Sequence, residues 1–419
     1  MGLTSGPHGP KALFVKDFAS AFQNVKQLTD VRALVGVQRA QTLAVLDGNV
    51  MMNAIPQGVD TFGGYVAVLA NQINEAVQAA AHVVVVFDEP KAMTLAKRDE
   101  QRRRDALRQA RVPMCSEDLV ATIRDDNYHT NDLLTDGCNV KLLMEFRKAR
   151  PRFYDAVCVA LLRKFRAEMT GEGKWSLTFD GVDRRGGDRG IGLPREAGVL
   201  SSDPVFWGPL LQRATPIGEG DLKLTDVTQR VHDAAQTPGA LVAGVVLNLV
   251  VTIDTDSFAI ELLQQSWRMN RPEEEEDERT ILCFKERSRK RQGDDYETKG
   301  HYLCCDMLML HEAVTEYFYG TLHLSQEIVD QQPAAMALLA AALACCGCDF
   351  VKIDGMRVDL VLPVVRDIVR NHRDKLQLIT NVHETRRADV LLASDALQFL
   401  IDEYADAIAE MPRMQKAHA

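Results

Sequence analysis

Long apolar runs that stop at an aspartate recur along the chain: residues 42–47 read TLAVLD, residues 82–88 HVVVVFD and residues 248–256 NLVVTIDTD. None of them alternates polar with apolar positions. A β-branched run without alternation is buried on both faces, as in a parallel sheet covered by helices on each side. Between the first two runs, residues 61–81 carry a helical pattern, so strand, helix and strand follow one another. That order makes neighbouring strands parallel and brings their carboxyl ends to one edge. The predicted class is α/β, with a mainly parallel twisted central sheet and helices on both faces.

The pattern divides the chain further. Residues 1–111 form the first part of this core and end in a basic helix. Residues 112–205 read as a helical insertion, with amphipathic helices at 139–147 and 154–169, a strand at 174–180 and a glycine- and arginine-rich loop at 181–192. Residues 206–370 form the second part of the core, interrupted by a charged excursion at 268–299 around a short ILCF segment. Blocks of like charge there imply solvated loops. Residues 371–419 read as a helical tail.

Candidate chemistry follows from the strand ends. Ligands of open α/β sheets bind outside the carboxyl ends of the strands. Several carboxylates gathered there repel one another and lose hydration unless a cation joins them. The alternative for each aspartate is an ordinary helix or turn cap. After Asp88 the chain is basic and helical, with Lys91, Arg98 and Arg102 on one face. Either that face meets phosphate, or it is a solvated helix carrying Asp99–Arg103 and Glu100–Arg104 pairs at i,i+4 spacing.

A formal net charge of −10 excludes a protein that coats nucleic acid nonspecifically, because such binding needs many cations neutralising phosphates. Any nucleic-acid contact is local. The chain's 9 cysteines lack the paired C-x-x-C spacing of common zinc modules and read as buried free thiols. A site using His301 and these cysteines is the alternative. No apolar run is long enough to span a bilayer, and residues 1–10 lack the features of a secretory signal. An intracellular address, cytoplasmic or nuclear, is expected.

Two further acidic places complete a set: Glu219 and Asp221 in PIGEGDLKL, and Asp349 in CCGCDF. With Asp47, Asp88, Asp254 and Asp256 they resemble, in order and context, the metal-binding acids of the 5′-nuclease superfamily, which includes flap endonucleases and Xrn-type 5′→3′ exoribonucleases. FDEPKAMTLAKR is similar to the strand and basic helix of flap endonucleases, and Lys91 and Arg98 have the seven-residue spacing of their phosphate-contacting pair. GEGDLK resembles the GEGEHK segment of Xrn-type enzymes, IDTDS the D-x-D segment of both branches, and GCDF the flap-endonuclease GCDY. Asp47–Gly48–Asn49 resembles the Xrn-type D-x-N element. Asn53 stands where these families carry a base-stacking side chain, and Leu95 where an Xrn-type phosphate pocket has glutamine. No sliding-clamp motif occurs in residues 371–419.

The resemblance implies a PIN-like nuclease core holding two Mg²⁺ or Mn²⁺ ions on Asp47, Asp88, Glu219, Asp221, Asp254, Asp256 and Asp349. Lys91 and Arg98 would be catalytic; Asn49, Arg102 and Lys223 would bind substrate. The substrate implied is single-stranded RNA or DNA with a 5′ end, with the Xrn-like exoribonuclease ahead of a flap-type DNA nuclease. A degenerate nuclease fold that only binds nucleic acid or a protein is the alternative of a different class. A nucleotide-cofactor enzyme would need a glycine-rich loop after the first strand, and Asp47–Gly48–Asn49–Val50 is not one.

Overall fold

The computed structural model describes residues 10–53, 59, 61–89, 99, 102–103, 106, 150–169, 175–181, 198–214, 217–269, 278–285, 302–320, 326–346, 357–372, 400–403 and 405–407. In chain order these form α1 (Pro10–Asp17), β1 (Phe22–Val25), α2 (Leu28–Val35), β2 (Thr42–Asp47), α3 (Gly48–Asn53), α4 (Phe62–Ala79), β3 (His82–Val86), α5 (Arg150–Met169), β4 (Ser176–Asp180), β5 (Val199–Ser201) and α6 (Pro204–Leu211). Then come α7 (Gly220–Ala235), β6 (Leu247–Thr252), α8 (Asp256–Met269), β7 (Arg279–Lys285), β8 (Tyr302–Asp306), α9 (Met307–Tyr319), α10 (Gln326–Cys345) and α11 (Val358–Asn371). The class is α/β, with a mostly parallel mixed sheet. Contacts divide the chain into a sheet unit, Val25–Ile253 with Cys283–Tyr302, and a helical unit, Met1–Asn24 with Asp254–Leu282 and Leu303–Ala419.

In the sheet unit the strand order is β6-β2-β3-β4-β5. β2 pairs parallel with both β6 and β3, β3 pairs parallel with β4, and β4 pairs antiparallel with β5. The apolar runs of the sequence are the inner strands, and every residue of β2, β3 and β4 is buried. A parallel strand with no exposed position needs helices on both faces. Helix α4 supplies one, packing on β2 and β3 with Tyr65, Leu69, Ile73 and Ala76 buried, and with Thr61 capping its first turn through Gly64 N–H at 3.1 Å. Helix α5 packs beside α4 and on β4, with the Phe153 ring 5.2 Å from that of Tyr65. Right-handed crossovers put α4 and α5 on one face, since the chain steps from β2 to β3 to β4. The return from β5 to β6 runs the other way, so its helices α6 and α7, which pack on one another, cover the opposite face.

At the amino end of the sheet, a buried polar chain links three elements. Trp207 Nε1 donates to Ser176 Oγ at 3.2 Å, and Ser176 Oγ lies 3.0 Å from His82 Nδ1. With His82 also bonded to the Leu241 backbone, this order fits a neutral imidazole that accepts at Nδ1. Burial, with Arg39 nearby, pushes the His82 pKa down to about 4. The unfolded chain takes up this proton near pH 6.5 and the folded chain only near 4, so His82 supports the fold above pH 6.5. That support is lost as pH falls towards 4, at up to about 1.4 kcal/mol per pH unit. Urea midpoints at pH 7, 6 and 5 should therefore fall less steeply in His82→Gln than in the parent. Parallel slopes would remove His82 from the acid sensitivity.

The helical unit carries strands in the order β1-β8-β7 and a group of packed helices. α10 is buried on all sides from Ala334 to Ala342, which suits a central helix of small and leucine side chains. It packs against α8 and α11, and α9 packs against both of those. Arg370 of α11 closes the end of α9 by donating to Phe318 O at 2.7 Å and Tyr317 O at 3.2 Å.

Several expectations change here. Residues 112–205, expected as an insertion, supply β4 and β5, so two strands of the sheet come from that range. The strand expected at 174–180 is present as β4, with its run SLTFD buried throughout. The excursion 268–299, expected as solvated loop, contains β7, whose Ile281, Leu282, Cys283 and Phe284 are buried. Four consecutive apolar side chains outweigh the charge that flanks them. The helix expected at 139–147 lies outside the described residues. Cys158, Cys283, Cys304, Cys305, Cys345 and Cys346 are buried and form no disulfide among the described residues. Among the described residues, no helix is long and apolar enough to cross a membrane.

Candidate metal centre

Strand register brings acids to one edge. Asp47, the last residue of β2, is paired with Val86 of β3, and Val86 with Asp180, the last residue of β4. Asp88 follows two residues beyond Val86. Asp47 and Asp180 therefore stand at the same level of the sheet unit, and Asp88 two residues further along, at its carboxyl edge. Adjacent strands stand about 4.8 Å apart.

A fourth acidic segment reaches this edge from α7. Gly220 N–H, at the first residue of that helix, donates to Asp88 Oδ1 at 2.7 Å, and Glu89 N–H donates to Gly218 O at 2.8 Å. Glu219 and Asp221, flanking Gly220, are thereby carried to Asp88. A charged acceptor at a helix amino terminus is favoured by the helix dipole as well as by the hydrogen bond. The approach is close: a methyl group at Gly220 would stand 3.1 Å from Asp88 Oδ1 and 3.6 Å from Asn49 Nδ2. Asn49 Nδ2 thus lies beside Gly220 at the α7 terminus.

The loops at the edge are keyed together by glycine. Gly48 opens α3 under the Phe87 ring, and a Cβ there would overlap ring carbons of Phe87. Gly181 has φ +90°, and a Cβ there would lie 2.6 Å from Phe87 O and 2.8 Å from Lys223 Nζ. Phe87 N–H in turn donates to Asp180 O at 2.8 Å, extending the β3–β4 ladder to the foot of Asp88. Asp47 also caps α3, accepting from Val50 N–H at 3.0 Å.

Lys223, expected to touch substrate, is instead fully buried. One turn into α7, its position faces the sheet, and Nζ donates to Phe87 O at 2.9 Å with Glu89 Oε2 at 3.8 Å. Burial lowers its pKa, partly offset by Asp180, Glu89 and Asp88, while Arg213 lowers it further. Arg102 is exposed and pairs with Asp99 at 3.0 Å, a solvated i,i+3 pair of small energetic worth. Lys91, Arg98 and Asp349 lie outside the described residues. Asp254 and Asp256 open the Asp254–Leu282 segment of the helical unit, two and four residues past the last residue of β6.

Sequence reasoning passed over Asp180 and Arg213. Arg213 Nη1 lies 2.8 Å from Asp180 Oδ2, and its Nε donates to Asp226 Oδ2 at 2.6 Å. Burial alone would lower the guanidinium pKa, but the Asp180 and Asp226 carboxylates outweigh it and raise it. The acid at the end of β4 is thus matched by an arginine, whereas Asp47 and Asp88 end in helix caps. SLTFD carries the same run-to-aspartate signal as β2 and β3; nothing local announces its arginine partner.

The edge acids line a rim rather than enclose a point. Among the described residues, the ligand-type side chains whose donor atoms all fall within 4.8 Å of one another are Asp367, His372 and Glu403 of the helical unit, with Asp367 exposed. The rim donor set of Asp47, Asp88, Glu219 and Asp221 is all carboxylate oxygen, which fits hard divalent ions such as Mg²⁺ or Mn²⁺ and not soft ones. No protein-family model and no curated protein matches this chain.

Proposed function

We propose that the chain is a divalent-metal-dependent nuclease with a PIN-like core of the 5′-nuclease type, acting on single-stranded nucleic acid with a 5′ end. One observation carries the reading: the Gly220–Asp88 hydrogen bond of 2.7 Å joins the Glu219–Asp221 segment to the rim where β2 and β3 end in Asp47 and Asp88. Asp47, Asp88, Glu219 and Asp221 would hold Mg²⁺ or Mn²⁺ from this unit, with Asp254, Asp256 and Asp349 as the further acids of the motif. Such ions supply an activated water and offset charge on the phosphate and the leaving oxygen. The chain's own groups orient them: Gly220 N–H fixes the Asp88 carboxylate, and Asn49 offers an amide beside it. Lys91 and Arg98 are the cations assigned to the phosphate, including a 5′-monophosphate held by charge-assisted bonds. An Xrn-like 5′→3′ exoribonuclease is preferred over a flap-type DNA nuclease on the Asp47–Gly48–Asn49 element and the long intervals between acids.

The test is cleavage of matched 5′-labelled single-stranded RNA, single-stranded DNA and a DNA flap, with Mg²⁺, Mn²⁺ or chelator. Metal-dependent shortening of RNA, faster with a 5′-monophosphate than with a 5′-hydroxyl, is expected. Internal cuts appearing first, or cleavage of the flap alone, would move the assignment to an endonuclease. A second reading, a fold that binds without cleaving, is favoured by the capping roles of Asp47 and Asp88. Substrate retention without cleavage in every metal would establish it.

A further inference from the structure

The Lys223 side chain has no exposed surface and is among the largest fully buried side chains of the described residues, and burial lowers the pKa of its ammonium. Burying an ammonium is unfavourable unless carboxylates and hydrogen bonds offset it. Here the offset comes from the rim. Nζ donates to Phe87 O at 2.9 Å, stands 3.8 Å from Glu89 Oε2, and acts on Asp180 and Asp88 through space. Phe87 and Glu89 are the residues on either side of Asp88. The lysine therefore holds the backbone that aims the Asp88 carboxylate, and Gly181 is kept free of a side chain where one would meet both Nζ and Phe87 O.

We propose that Lys223 is a positioning residue and a built-in counter-cation: it pins residues 87–89 and offsets rim carboxylate charge before any divalent ion binds. The proposal rests on the reading of the rim as a cation site. Its consequence is that the metal-free protein is less strained by its own acids than their number implies. With the ammonium removed, Asp88 and Glu89 lose the cation beside them, and a divalent ion then relieves more repulsion than in the parent.

The experiment is thermal unfolding of the full chain with and without MnCl₂, alongside Mn²⁺ binding followed by electron paramagnetic resonance. It compares the parent with Lys223→Met and with Lys223→Met/Glu89→Gln, which removes one negative charge as well. The Mn²⁺-induced rise in Tm should be at least about twice as large in Lys223→Met as in the parent, and should return towards the parental rise in the double variant. Equal rises in parent and Lys223→Met, with Mn²⁺ bound by both, would overturn the counter-cation role and leave the metal reading standing. A parent that binds no Mn²⁺ would overturn the metal reading itself, and this inference with it. Should Lys223→Met fail to fold without metal, folding of the double variant in that buffer supports the charge account. Failure of both, with and without Mn²⁺, rejects it.

Discussion

On the proposed nuclease reading, Asp88→Asn should lower metal-dependent cleavage by about 100-fold or more while leaving the fold in place. Asparagine keeps an oxygen that accepts from Gly220 N–H, the contact seen at 2.7 Å, so the junction between the β3 end and α7 survives. What is lost is the negative charge. Removing one carboxylate from a divalent-ion site that loses even ~2.7 kcal/mol of transition-state stabilisation costs about 100-fold in rate. Asp88→Ala removes the cap as well and should add a loss of about 1 kcal/mol in stability. The two variants separate chemistry from capping. Turnover of Asp88→Asn within a few-fold of the parent, at matched folding, would reduce Asp88 to its capping role.

Arg213→Met should be the most destabilising single substitution near the rim, by about 3–5 kcal/mol, because it leaves the buried Asp180 carboxylate without its arginine. The Arg213 and Asp180 side chains are 7% and 5% exposed, so water offers little relief. Asp226 keeps Arg230 at 2.9 Å, which leaves Asp180 as the stranded group. The double variant Arg213→Met/Asp180→Asn should recover a large part of the loss, since the charge that needed matching is gone. Urea denaturation of the three proteins measures both effects. A loss below about 1 kcal/mol in the single variant would mean that the ion pair and its desolvation cancel.

Much of the sheet unit was legible in the sequence because its signal is local. The runs at 42–47 and 82–88, with the helix between them, carry their burial and their terminal acids within a few residues. The runs become β2 and β3, and the helical pattern becomes α4. The acids at the strand ends could be anticipated for the same reason. Other features depend on partners remote in sequence. Lys223 looks like a surface cation in GEGDLK, and only its bond to Phe87, 136 residues away, makes it a buried one. Asp180 reads as one more strand end until Arg213 arrives from beyond α6. β7 was obscured by its charged neighbours, because four apolar residues are too few to outvote them in composition, although they suffice in packing.

The contact between Gly48 and the Phe87 ring makes two strand ends a single mechanical part. Residue 48 lies beside Asp47 and residue 87 beside Asp88, so anything that pushes the ring aside displaces both acids together. Position 48 then acts as a spacer gauge with one permitted thickness. A library randomised there and selected for stable protein should return glycine, whereas Asn53, at the other end of α3 and exposed, should accept many residues. Tolerance to substitution would change abruptly within a six-residue helix, marking out the β2–β3 junction without reference to any substrate.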